Sequence, residues 1–244
     1  MSKSPYSEKL EDRIESLESA EIIVPIVLKL LNPKSVVDVG CCTGEWLHVF
    51  QRHGVSDILG IDGEWINEKK LRIPKECFFV ANLENNLQIQ RRFDLVVALE
   101  VGEHLSKTSA ETFINSLTSL GPAILFSAAI PFQGGTHHKN EQWPEYWADL
   151  FRKKDYAVVD CIRKKIWNNE NVSFWYSQNM LLFVKNSYLE KNEILQKELR
   201  EVTSTFLSIV HPKMYLLIAK TYRLIGRFIP SSIKRAVTGI INKS

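Results

Sequence analysis

The chain has 244 residues, of which 45% are hydrophobic, 10% aromatic and 24% charged, a composition that excludes a disordered, collagen-like or mucin-like protein. Lysine and arginine number 31 against 28 acids, so the net charge of +3 excludes the strongly basic footprint of a general nucleic-acid binder. One main domain of roughly 150 to 200 residues plus a smaller piece is expected.

Residues 8–31 set Leu10, Ile14, Leu17 and Ile22 at mostly helical spacing and stop at Asn32-Pro33, which predicts one or two leading helices within residues 1–33. The apolar run Ile22 to Leu31 is broken by Pro25 and Lys29 and is shorter than the roughly 20 residues that span a bilayer, so no transmembrane helix is expected. From Ser35 the pattern becomes short β-branched runs: Ser35 to Val39, Asp57 to Ile61, Cys77 to Val80, Phe93 to Leu99 and Ala123 to Ile130. The segments between them are long enough for crossover helices, which signals βαβ units and a parallel sheet. Two further runs, Tyr156 to Ile166 and Val172 to Val184, flank the turn-forming Asn168-Asn169-Glu170-Asn171 and predict an antiparallel hairpin at the sheet edge. The fold class is therefore α/β, with a central, mostly parallel, seven-stranded sheet over residues 34–185.

Residues 186–244 form a helical extension. Its last part, His211 to Ser244, carries seven basic residues and no acid. Met214, Ile218, Tyr222, Ile225 and Ile229 fall on one helical face, and Lys213, Lys220, Arg223 and Arg227 on the other, ahead of Pro230. This is the pattern of a basic helix lying on an anionic membrane surface; packing on the main domain or self-association explains it equally well. Cys41, Cys42, Cys77 and Cys161 lack CxxC spacing, so neither a zinc ribbon nor a disulfide framework is indicated. The expected compartment is the cytoplasm, with peripheral contact at the inner face of a membrane as the tail's alternative.

The first strand runs into Gly40-Cys41-Cys42-Thr43-Gly44, a small-residue turn that lets backbone N–H groups approach a ligand at the carboxyl edge of the sheet. The spacing is neither GxGxxG nor a P-loop, which argues against NAD and nucleoside triphosphates. The second strand ends in Asp62-Gly63, an acid placed to accept both ribose hydroxyls of an adenosine. The third leads to Asn82-Leu83, and the fourth ends at Glu100. Val101-Gly102-Glu103-His104 follow. A helix beginning at Val101 would let Glu103 and His104 converge with Glu100, two carboxylates and an imidazole that suit a divalent cation. A plain helix N-terminus with His104 as a metal-free general base is the alternative. After the fifth strand, Phe132 to Pro144 is a polar loop with Gly134 and Gly135, and it brings His137 and His138 to the same sheet edge. His104, His137 and His138 are the proton-transfer candidates, His138 also a ligand candidate. Gln142 and Trp143 are the candidates for acceptor contacts, while Tyr146, Trp147 and Phe151 are read as core.

These ordered motifs, VVDVGCCTG, GIDG and FDLVVALEVGEHL, resemble those of the class I S-adenosylmethionine-dependent methyltransferases, and the resemblance implies a Rossmann-like fold with S-adenosylmethionine as cofactor. It further implies that Asp38, Gly40 and Gly44, with Cys42 in their turn, hold the methionine part. Asp62 with Gly63 would hold the ribose, and Asn82 with Leu83 the adenine. Cys42 stands where the family usually has glycine, and Asn82 where it usually has aspartate. The ExxEH spacing with a later histidine is similar to the metal-dependent small-RNA 3′-terminal 2′-O-methyltransferases, and EVxEHL to the ubiquinone-biosynthesis O-methyltransferases. The loop GGTHHKNEQWPEYW is closer to bacterial methyltransferases associated with polysaccharide pathways. The resemblance thus implies methylation of a hydroxyl on a sugar, glycan or other small molecule, assisted by Mg²⁺ or Mn²⁺ on Glu100, Glu103, His104 and His138. An RNA 3′ terminus as acceptor stays open, as do a nucleotide-dependent oxidoreductase and a catalytically silent binding protein on the same fold.

Overall fold

A computed structural model describes residues 14–201 and 206–226, the side chains of 222–226 excepted. Leu10 of the leading pattern and Arg227, Ile229 and Pro230 of the tail pattern lie outside the described residues, as do the side chains of Tyr222, Arg223 and Ile225. The chain divides into Met1–Ile209 and Val210–Ser244.

In the first unit, α1 (Ile14–Leu31) puts Ala20, Ile23, Val24, Val27 and Leu30 at helical spacing into the core. It ends at Asn32, whose positive φ and following proline stop the helix. Then come β1 (Ser35–Val39), α2 (Glu45–Arg52), β2 (Asp57–Asp62), β3 (Phe78–Val80), β4 (Leu95–Leu99), α3 (Ala110–Leu120), β5 (Ala123–Ser127), α4 (Pro144–Arg152) and β6 (Tyr156–Val159). The unit closes with α5 (Arg163–Ile166), α6 (Phe174–Asn179), β7 (Leu181–Lys185), α7 (Asn186–Leu189) and α8 (Glu193–Glu201). The second unit contributes α9 (Pro212–Gly226). Among the described residues no helix is long and apolar enough to cross a membrane.

The seven strands form one sheet in the order β3-β2-β1-β4-β5-β7-β6, with β7 antiparallel to both neighbours and the other pairs parallel. Central strands are apolar at nearly every position because both faces are covered. Leu95, Val97 and Leu99 of β4 enter one core with α1 and α2, while Val96 and Ala98 enter the other with Phe113, Ile114 and Leu117 of α3 and Trp147 and Phe151 of α4. Trp147 and Phe151 are core residues, as expected.

The antiparallel pair at the sheet's end differs from a hairpin. β6 and β7 are neighbours, but residues 160–180, holding α5 and α6, connect them, and the turn at 168–171 joins those helices. The apolar residues of this stretch recur every four positions, Ile162 and Ile166, then Val172, Tyr176 and Met180, and all enter the first core. Spacing of four without the position between belongs to helix: a strand would have turned Lys164, which is exposed, to the same face as Ile162 and Ile166.

Strand order reverses between β1 and β4, and at such a switch point the loops leaving the two strands diverge and open a crevice at the carboxyl edge.

Candidate active site

The turn after β1 is tied to its neighbour by Gly40 N and Cys41 N, which donate to the Ile61 carbonyl at 2.7 and 3.2 Å. Gly40, Cys42 and Gly44 all have positive φ. At Gly40 a Cβ would stand 2.3 Å from Val101 Cγ2, so glycine is what lets the β1 and β4 loops meet. Cys42 keeps the left-handed backbone despite its side chain, at a penalty of roughly 1 kcal/mol, and its N–H donates to Asp62 Oδ2 at 2.8 Å. Gly63 N donates to Asp62 Oδ1 at 2.6 Å. Asp62 is thus buried, and a backbone N–H fixes each of its oxygens.

These groups surround a cavity of about 600 Å³. Gly40, Cys42, Asp62, Gly63, Asn82 and Leu83 line it, while Asp38 and Gly44 are not among the lining residues. Asn82 Oδ1 accepts from Glu84 N at 2.9 Å, which caps the turn after β3. Sequence reasoning missed Trp65, Glu64, Glu84 and Lys139, all on the wall. Trp65 lies so close to Gly63 that a Cβ there would meet its ring at 2.2 Å. An aromatic three residues past the strand-end acid, beside a glycine that makes room for it, was the available signal. The neighbouring Cys41 is no nucleophile, since burial, and then Asp38 and Asp62, push its thiol well up.

Where a helix from Val101 was expected, the chain makes a 3-10 turn, Gly102–His104, and α3 begins only at Ala110. Glu100 itself takes a left-handed backbone, φ +55, and is held by partners from other segments. Gln133 Nε2 donates to its Oε2 at 2.9 Å and Asn179 Nδ2 to its Oε1 at 3.2 Å, while Gln178 Nε2 donates to Gln133 Oε1 and Asn179 Oδ1. Burial pushes the Glu100 carboxyl up, and hydrogen bonds from Ser127, Asn179 and Gln133 only partly offset this. Of the residues expected to hold a metal, Glu103, His104 and His138 form a compact group with donor atoms all within 4.8 Å of one another, and Glu100 is not one of that group. Lys139 N and Asn140 N donate to the Glu103 carbonyl at 2.7 and 3.0 Å, binding the two loops together, and the His104 and His138 rings meet edge to face at 4.9 Å. Ligands on one ion at about 2.0 to 2.2 Å stand roughly 3 to 4 Å apart, so this trio fits a divalent cation after a small side-chain adjustment. His137 is exposed and outside the trio. Gln142 donates to Asn140 Oδ1, Trp143 precedes α4 half-exposed, and neither lines the cavity.

A family model described as a methyltransferase domain matches residues 10–164. The chain belongs to this methyltransferase-domain family. Its sheet order and switch-point cavity make it a class I S-adenosylmethionine-dependent methyltransferase by fold. Among solved structures, the methyltransferase domain of bacterial CtHen1-C is 19% identical, with TM-score 0.51 over 69% of this chain and 97% of that one. DesVI of Streptomyces venezuelae is 13% identical, with TM-score 0.51 over 71% and 93%. The small RNA methyltransferase HEN1 is 17% identical, with TM-score 0.51 over 69% of this methyltransferase and 25% of that chain. At such identities the likeness is one of fold. No curated protein matches the chain.

Proposed function

We propose that this methyltransferase transfers the S-adenosylmethionine methyl group to a hydroxyl of a sugar, glycan or other small molecule in the cytosol, with a divalent cation on Glu103, His104 and His138. The observation that carries this reading is that Asp62, Glu100 and His104 line one strand-edge cavity, with His104 in the compact group it forms with Glu103 and His138. Asp62, on the cavity wall at the end of the second strand, accepts the ribose hydroxyls. The Gly40–Cys42 backbone packs against the cofactor without a side chain at Gly40 to obstruct it.

An alcohol offers almost no alkoxide at neutral pH, so the acceptor proton needs a destination. A cation bound to the trio would supply Lewis acidity toward the acceptor oxygen. With His104 and His138 engaged as ligands, Glu100 is the base: it lines the cavity, and burial raises its proton affinity toward the working range. The oxygen forms its bond to the methyl carbon, the carbon–sulfur pair stays with sulfur as S-adenosylhomocysteine, and the proton passes to Glu100. Gln133 and Asn179 hold that carboxylate toward the cavity. The wall carries Glu64, Glu84 and a single lysine, Lys139, an acidic balance that suits a neutral polyol better than a phosphodiester.

Calorimetric titration should show S-adenosylmethionine binding and no NADH binding. Methyl-labelled cofactor incubated with fractionated cell extract should then label a glycan or small-molecule fraction. Label confined to RNA would replace the acceptor class, and NADH binding would defeat the cofactor assignment.

A further inference from the structure

The loop between β5 and α4 is folded around one carboxylate that the reaction above does not use. Glu141 accepts from Phe132 N at 2.8 Å and from Gly134 N at 3.3 Å, and its Oε1 lies 2.8 Å from His138 Nδ1. Phe132 and Gly134 both have positive φ, so the chain reverses sharply here. For Phe132 that backbone is unfavourable by roughly 1 kcal/mol, and its side chain, 84% exposed, contributes no packing to hold it. The reversal is closed by Gln133 N donating to the Ile130 carbonyl at 3.0 Å and by the charged acceptor, whose hydrogen bonds are about twice as strong as neutral ones. On its other side the His138 ring lies against Gly135, where a Cβ would stand 2.2 Å from Nε2. The imidazole is thus set between the Glu141 carboxylate and a bare glycine, and with Nδ1 engaged its remaining nitrogen is the one left for a ligand.

We propose that Glu141 is a positioning residue of the cation centre: its carboxylate fixes the tautomer and orientation of His138 and, through Phe132 and Gly134, the loop that delivers His138 to Glu103 and His104. This rests on the reading of those three residues as cation ligands. Glu141 is the outer partner that a metal-binding histidine requires, and removing such partners weakens metal binding by about 10- to 100-fold. Without it the ring can rotate, its tautomer is no longer set, and the loop loses the acceptor for two backbone donors.

The test is Mn²⁺ binding to the whole chain, followed by the electron paramagnetic resonance signal of free Mn²⁺, with S-adenosylmethionine affinity measured in parallel. Wild type should bind Mn²⁺ and Glu103→Ala should lose it. Glu141→Ala should weaken Mn²⁺ binding by about 10- to 100-fold with cofactor affinity unchanged, whereas a merely structural role would lower both. Glu141→Gln, which keeps one acceptor oxygen but not the charge, should fall between. Gly135→Ala, which displaces His138 without touching Glu141, should also weaken Mn²⁺ binding. Glu141→Ala with wild-type or tighter Mn²⁺ affinity, beside weakened Gly135→Ala and Glu103→Ala, would overturn the proposal while leaving the cation centre standing. Should Glu141→Ala lose its fold, wild-type Mn²⁺ affinity in Glu141→Gln would overturn it equally. A wild-type chain that binds no Mn²⁺ would defeat the cation reading and this proposal with it.

Discussion

Replacing Asp62 by alanine tests the cofactor site most sharply, because the structure separates two jobs of that carboxylate. It holds Cys42 N and Gly63 N at 2.8 and 2.6 Å, and in the proposed reading it accepts the ribose hydroxyls from the cavity wall. Losing a charged acceptor for the ligand's hydroxyls weakens binding by about 1.5 to 3 kcal/mol, roughly 10- to 150-fold in Kd. The two backbone donors are orphaned as well, but they border an open cavity where water can replace the lost oxygens. The variant should therefore fold, with a lower Tm. Asp62→Asn is the finer probe: it keeps one acceptor oxygen but presents an NH₂ to a backbone N–H, so it should bind more weakly than wild type while its fold stays near native. Isothermal titration with S-adenosylmethionine, beside circular dichroism to confirm folding, gives both quantities. An unchanged Kd in folded Asp62→Ala would mean that the ribose is held elsewhere and that the two-strand assignment of the cavity is wrong.

Gly40→Ala should lower both Tm and cofactor affinity, since it sets a Cβ 2.3 Å from Val101 Cγ2 on a left-handed backbone; wild-type values in both assays would show that the β1 and β4 loops can part freely. Glu100→Gln addresses burial of the carboxylate. Burial raises the folded-state pKa of Glu100, so the native state holds this proton more tightly than the unfolded chain does. Its contribution is fully present below the ordinary carboxylate range and is lost as pH rises through the higher folded value. The stability of Glu100→Gln relative to wild type, from urea melts, should accordingly improve as pH rises through that window, and parallel stability curves would contradict the burial argument.

Much of the sheet was legible because buried parallel strands read as uninterrupted apolar runs. Ser35–Val39 and the start of β2 at Asp57 needed no tertiary information. The connection from β6 to β7 was misread because its β-branched and aromatic residues favour strand locally; only the polar position between its apolar ones, Lys164, betrays the first of the helices. At the site, the positions tied to the backbone turn were legible, since Gly40, Cys42 and Asp62 are forced together by β1–β2 pairing. The surroundings of Glu100 were not legible because its spacing from Glu103 and His104 implies convergence only on a regular helix, and a left-handed residue followed by a 3-10 turn breaks that regularity. Its true partners, Gln133 and Asn179, come from two distant segments, and no local pattern could have paired them. Glu141 was hidden for another reason: it binds backbone donors, which carry no sequence signature.

The central claim, a cation-assisted methyl transfer at the Glu103–His104–His138 trio, is tested most directly by labelled methyl transfer to the acceptor fraction before and after exhaustive chelation. Activity should vanish with the metal, return on adding Mg²⁺ or Mn²⁺, and be absent from Glu103→Ala and His104→Ala at unchanged S-adenosylmethionine affinity. Full turnover by the chelated protein, with no metal found by elemental analysis, would contradict it.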